Sequence, residues 1–134
     1  LDFTNHIQKL NIEFINKDFR DIDLSYLGEN DFVYIDPPYL ITTASYNENG
    51  GWTNKDEKEL YDLLDELNNK KIKFAFSNVI VHKGNENTTL IEWAKKYNTY
   101  MLNMRYDNTW GATRKKEGKV KETREVLITN YIAQ

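Results

Sequence analysis

The chain has 134 residues, no cysteine and a formal net charge of −3. That length suffices for one domain with a core, and the missing cysteines exclude disulfides and thiolate metal sites and fit a reducing compartment. Hydrophobic residues make up 40% and charged residues 29%, as in a globular domain; no apolar run is long enough to span a bilayer, so no membrane partner is expected, and the charge alone marks no nucleic-acid binder.

Leu1-Asp2-Phe3 opens the chain, and Phe3, Ile7 and Leu10 follow helical spacing. This reads as the tail of a helix and predicts a C-terminal fragment of a longer protein. Ile12 to Ile15 alternates like a strand and runs into a turn at Asn16-Lys17-Asp18-Phe19. A polar connection with a short helical turn covers Arg20 to Asn30. Asp31 to Ile35 then reads as a short buried strand of apolar, β-branched and aromatic residues. Leu40 to Trp52 is a long loop, of the kind that is usually functional or mobile. Thr53 and Asp56 form a capping-box pattern, and Leu60, Leu63, Leu64 and Leu67 make one apolar helical face ending near Asn68-Asn69-Lys70. Ile72 to Phe76 is a second buried strand closed by Ser77-Asn78, and Val79 to Glu86 reads as a loop. Asn87 caps a second helix, with Leu90, Ile91, Trp93, Ala94 and Tyr97 on its buried side. Tyr100 to Met104 and Glu125 to Tyr131 are strands, separated by a polar segment from Asn108 to Glu122. The alternation predicts an α/β fold with a mostly parallel sheet, flanking helices and an antiparallel C-terminal hairpin strand. There is no internal repeat, Walker loop or dinucleotide glycine pattern.

The chemistry concentrates at Asp36-Pro37-Pro38-Tyr39. In open α/β sheets ligands bind beyond the carboxyl ends of the strands. The two prolines make a stiff turn without N–H groups. The Asp36 carboxylate and the Pro37 carbonyl are two acceptors within reach of one amino group, and Tyr39 can stack on the ring that bears it. Two acceptors on a conjugated amine free its lone pair for in-line attack on an electrophile. A strand ending in Asp-Pro is also a common turn opening. The position, after a strand and before a long loop, favours the functional reading.

The motif resembles that of the amino-methyltransferases that act on exocyclic nitrogens of DNA bases. Phe32-Val33-Tyr34-Ile35, Gly51-Trp52-Thr53, Phe76-Ser77-Asn78 and Glu125-Val126-Leu127-Ile128-Thr129-Asn130-Tyr131 are similar, in order, to the Dam-type adenine-N6 group. Asn16-Lys17-Asp18-Phe19 resembles that group's turn near the cofactor's adenosine. The resemblance implies a partial S-adenosylmethionine-dependent methyltransferase fold over residues 1–134. It implies S-adenosylmethionine as cofactor and an adenine flipped out of double-stranded DNA as acceptor. Asp36 and Pro37 would bind the amine, Pro38 would stiffen the turn, and Tyr39 would stack on the base. Asp36, Asp18 and Phe19 would contact the cofactor. It also implies a bacterial or phage protein of the cytoplasm, acting at the nucleoid, in a restriction-modification setting. The family's glycine-containing cofactor loop and target-recognition region are not among these residues. One side of the central strand is therefore expected to be an open edge, suited to the missing N-terminal half or a second chain.

Other residues carry two readings each. Tyr46 and Trp52 can contact DNA or tuck their loop onto the surface. Asn78 can line the cleft or cap a turn. Lys83, Arg114 and Lys115 can touch phosphates or form a solvated face. His6 and His82 lack partners at ligand spacing, so no metal site is expected. Cytosine N4 and RNA adenine are alternative acceptors, and a non-catalytic half of a split enzyme is the alternative from another class.

Overall fold

Leu60, Leu64 and Leu67 fall on one side of a helix and are buried there, and the sheet is packed against that side. The computed structural model describes residues 3–42, 51–102 and 123–133. The described elements are α1 (Phe3–Ile7), a 3-10 turn (Phe19–Asp21), β1 (Phe32–Ile35), α2 (Asn54–Asn69), β2 (Lys73–His82), β3 (Asn85–Glu86), α3 (Thr88–Ala94), β4 (Asn98–Leu102) and β5 (Thr123–Thr129).

Helix α2 begins as its sequence predicts. Thr53 caps it, the Asp56 N–H bonds the Thr53 hydroxyl, and the Asp56 carboxylate returns to the Thr53 N–H at 2.8 Å. At its other end Lys71 takes a left-handed conformation (φ 59°). The Ile72 N–H then reaches the Leu67 carbonyl at 2.9 Å, the closure that satisfies the end of the helix and turns the chain into β2. Helices α2 and α3 cover the face of β2 that carries Phe74 and Phe76, which pack with Tyr61, Trp93 and Tyr97. Both phenylalanines are fully buried, each stabilising the fold by about 1.5–3 kcal/mol relative to an exposed ring. Val126 and Ile128 of β5 complete this layer.

The sheet is mixed, with strand order β1-β2-β5-β4 and β3 paired to the end of β2. Only the β1–β2 pairing is parallel among the described strands; β2–β3, β2–β5 and β4–β5 are antiparallel. The expected mostly parallel pairing is not what the described residues form. The reason is positional: β1, β2 and β4 run the same way, but β5 enters between β2 and β4 in the opposite direction.

Four further expectations need correction. Ile12 to Ile15 forms no strand, and Phe14 is 93% exposed; without a partner strand its backbone has no ladder to join. Strand β1 is not buried on both sides. It ends the strand order, and Phe32 and Tyr34 are 53% and 60% exposed. The segment after Asn78 is not a loop: β2 continues to His82 because β5 pairs along it from Ala75 to His82. Strand β4 also lies two residues earlier than predicted.

One buried acid ties these elements together. Glu57 is 1% exposed, on the inner side of α2. Its Oε1 accepts from the Tyr61 hydroxyl at 2.7 Å, Asn78 Nδ2 at 3.0 Å and Asn87 Nδ2 at 3.5 Å, and its Oε2 accepts from Trp52 Nε1. The acid thus joins the residue before the α2 cap, α2 itself, β2 and the α3 cap. We expect Glu57→Leu to lower the unfolding free energy by about 3 kcal/mol or more, since it strands several buried donors. Glu57→Gln keeps one acceptor oxygen and should lose less. Equal urea midpoints for wild type and Glu57→Leu would contradict this account.

Asp56 yields a pH prediction. Hydrogen bonds from the Thr53 side chain and from Arg20 push its carboxyl down from 3.8 to about 2. A carboxylate lowered in the folded state adds stability above its unfolded value, and that contribution fades as pH falls through the folded value. The stability difference between wild type and Thr53→Ala should therefore be larger at pH 7 than at pH 2, measured by urea denaturation at both.

Candidate active site

The site grows out of one parallel register. Ile35 pairs with Phe76, so Asp36 and Ser77 leave that pair side by side. Ser77 is buried in β2, while Asp36 projects past the end of β1 and is exposed. The Ser77 hydroxyl donates to Asp36 Oδ1 at 2.7 Å, and the Tyr34 hydroxyl donates to Ser77 Oγ at 3.3 Å. Tyr39 turns back over the two prolines, and its hydroxyl donates to the same Asp36 Oδ1 at 3.1 Å. Partial burial, and then the Asp36 charge, push the Tyr39 phenol up to about 12. It therefore stays protonated, and a donor, at neutral pH. The turn is closed behind it by Thr42, whose N–H and hydroxyl reach the Tyr39 carbonyl at 3.2 and 3.0 Å.

Both donors use Oδ1. No described residue donates to Asp36 Oδ2 or to the Pro37 carbonyl. Those are the two acceptors of the motif left without a described donor.

Two concavities meet at this point. A cavity of about 350 Å³ lies behind the motif, lined by Phe19, Val33, Trp52 and Leu63 together with Asp36 and the prolines. Asp36 is the only carboxylate in its lining among the described residues. An open cleft of about 340 Å³ lies in front, lined by Asp36, Pro37, Pro38 and Tyr39. The structure thus brings Phe19 to the motif across some seventeen residues of sequence. Arg20 holds it there. The guanidinium sits 4.4 Å from the Phe19 ring centre and pairs with Asp56 and Glu59 of α2. Trp52 also packs on the Phe19 ring, 5.8 Å between centres and tilted by 49°.

The remaining predicted residues are placed less favourably for contact with a ligand. Asp18 caps the 3-10 turn and is engaged by the Arg20 backbone N–H at 3.0 Å and by its guanidinium. That backbone bond is the main cause of its lowered pKa. Asn78 faces the interior and Glu57, not the cleft. Lys83 is exposed at the β2–β3 turn, in a left-handed conformation (φ 52°). Tyr46, Arg114 and Lys115 lie outside the described residues. Ser77 and Tyr34 were legible only as parts of a family-like string; an acid one residue past a parallel pair is the signal that could have singled out Ser77. No group of three metal-ligating side chains occurs among the described residues, and no described helix is long and apolar enough to cross a membrane.

Comparison with known proteins adds an independent line. A family model described as D12 class N6 adenine-specific DNA methyltransferase matches residues 1–108, which include the motif. The chain is 46% identical over 133 residues to the type II methyltransferase M.FokI of Planomicrobium okeanokoites, covering 96% of this chain and 20% of that protein. It is 42% identical over 137 residues to the modification methylase StsI of Streptococcus sanguinis, covering 98% of this chain and 20% of that protein. It is 37% identical over 114 residues to the modification methylase LlaI of Lactococcus lactis subsp. lactis, covering 82% and 17%. The chain thus spans about a fifth of the length of the curated relatives it matches. With Asp36, Pro37, Pro38 and Tyr39 inside the matched span, the chain belongs to the D12 class N6 adenine-specific DNA methyltransferase family.

Proposed function

We propose that this chain carries the amine-binding side of an active site that methylates adenine N6 in double-stranded DNA. The observation that supports this most is the Asp36 carboxylate: one oxygen is held by Ser77 and Tyr39, no described residue donates to the other, and Asp36 lines both concavities. Asp36 Oδ2 and the Pro37 carbonyl would each take one hydrogen of the adenine amino group. That draws the nitrogen away from planarity and makes its lone pair available. Tyr39 would release its bond to Asp36 and stack on the base, which enters from the front cleft after flipping from the duplex. The amine proton becomes acidic once the nitrogen is alkylated, so Asp36 can pass it to solvent without being a strong base. Most of the rate gain then comes from holding the two reactants in line.

The rear cavity suits an adenosyl group. Its walls are aromatic and aliphatic, it ends at one carboxylate, and its size falls in the range of small-molecule sites. Phe19 would lie against the purine and Asp36 near the reacting end, with Asp18 at the rim. When bound, S-adenosylmethionine supplies an electrophilic methyl group and leaves as a thioether. Tyr39 and Lys83 are the described residues proposed to face DNA, and Tyr46, Arg114 and Lys115, outside the described residues, belong to the same proposal; Trp52, committed to Glu57 and the rear cavity, would act from that side, and Asn78 only through Glu57. A partial catalytic domain over residues 1–134 and neighbours along the β1 edge belong to the same proposal, as do a cytoplasmic location and a restriction-modification role.

Two outcomes test it. Asp36→Ala in the intact protein should abolish N6-methyladenine, measured by nucleoside mass analysis of treated DNA, with the thermal midpoint unchanged. Retained N6-methyladenine in that variant, or N4-methylcytosine as the wild-type product, would defeat the reading. Phe19→Ala should weaken S-adenosylhomocysteine binding by roughly tenfold, the worth of one aromatic contact of about 1–1.5 kcal/mol. Calorimetry showing unchanged affinity would remove Phe19 from the cofactor site.

A further inference from the structure

We infer that Ser77 is a positioning residue for the reaction, and that it decides which oxygen of Asp36 meets the amine. The inference rests on the methyltransferase reading above and deepens it.

Asp36 is poorly braced by its own strand. It lies one residue beyond the last β1 pair, β1 is an edge strand among the described residues, and Pro37 follows with no N–H to anchor the turn. Its carboxylate is also exposed, so rotation about the last side-chain bond is free unless something holds it. Ser77 is the opposite case. It sits in mid-β2, Phe76 beside it pairs with Ile35, and Ser77 itself pairs with Leu127 of β5. Its side chain projects from the face of β2 opposite Phe76, and it is buried there.

A serine hydroxyl has one hydrogen to give. Asp36 Oδ1 at 2.7 Å is nearer than the Ile35 carbonyl at 3.4 Å, and it is charged. Bonds to a carboxylate are the stronger kind. The Tyr34 hydroxyl donates to Ser77 Oγ at 3.3 Å and so favours a serine proton directed away from Tyr34, toward Asp36. The chain Tyr34–Ser77–Asp36 therefore transfers the rigidity of β2 to a carboxylate at the sheet's edge. It engages Oδ1 and leaves Oδ2 without a described donor. Tyr39 also bonds Oδ1 but must leave when a base stacks on it, so Ser77 is the donor that remains.

A purely structural serine would affect stability and leave the kinetic constants in proportion. A positioning serine affects turnover. In the intact protein, Ser77→Ala should lower kcat roughly 10- to 100-fold, the cost of a slightly misplaced reacting group, with KM for S-adenosylmethionine and the thermal midpoint unchanged. Ser77→Thr, which keeps the hydroxyl, should recover most of the lost turnover. Tyr34→Phe changes an exposed side chain and should give a smaller fall in kcat, and it tests the same chain if Ser77→Ala fails to fold. Wild-type kcat in Ser77→Ala, or in Tyr34→Phe should Ser77→Ala not fold, would overturn the inference. So would a Ser77→Thr enzyme as slow as Ser77→Ala. A wild-type protein that forms no N6-methyladenine would instead overturn the underlying reading.

Discussion

The parallel pairing of β1 with β2 is the constraint on which the site depends. Ile35 opposite Phe76 sets Asp36 beside Ser77 and directs the two prolines outward from the sheet. A slip of one residue would turn Tyr34 and Ser77 to different faces. The slip is resisted by the alternation in both strands. Phe74 and Phe76 must face α2 and α3, and Val33 and Ile35 must follow them into the same layer. The hydrophobic core thereby fixes the placement of a polar contact that lies outside it.

A second link runs through α2. Glu57 gathers donors from Trp52, Tyr61, Asn78 and Asn87. Trp52 packs on Phe19, and Phe19 and Trp52 both line the cavity that ends at Asp36. Asn78 is the neighbour of Ser77 in β2. The polar interior and the edge that carries Asp36 are therefore two parts of one arrangement, joined by a single buried carboxylate and by a strand that serves both. Buried ionic groups seldom add much net stability, but removing their partners is costly. This geometry shows what such a group does besides: it fixes the relative positions of elements distant in sequence.

Much of this was legible in the residues. The Thr53–Asp56 box marked the start of α2, the leucine spacing marked its buried side, and Asn87 marked α3, because caps and helical periodicity are local signals. Asp36-Pro37-Pro38-Tyr39 stood out because its chemistry is compact. What was not legible is non-local. Ile12 to Ile15 alternates like a strand, but alternation supplies no partner. Val79 to His82 reads as loop until β5 is paired against it. The order β1-β2-β5-β4 cannot be inferred from residues that lie about fifty positions apart. Asn78 looked like a cleft residue from its place after Ser77, and its amide instead meets Glu57. The clue lay in α2, where an acid occupies the same stripe as Leu60 and Leu64.

The position of β5 has a consequence for how the fold is reached. It follows β4 in sequence, yet it lies between β4 and β2. During synthesis β1, α2, β2, α3 and β4 emerge first, and none of them can bring β2 and β4 into one sheet. Until Val126 and Ile128 arrive, Phe74 and Phe76 lack part of the layer that covers them. Contacts of such long sequence separation form slowly, and apolar surface stays exposed while they do. The sheet that carries Asp36 is therefore completed from the middle, and a ribosome-bound chain without β5 has Asp36-Pro37-Pro38-Tyr39 in its sequence but not the whole sheet that supports it.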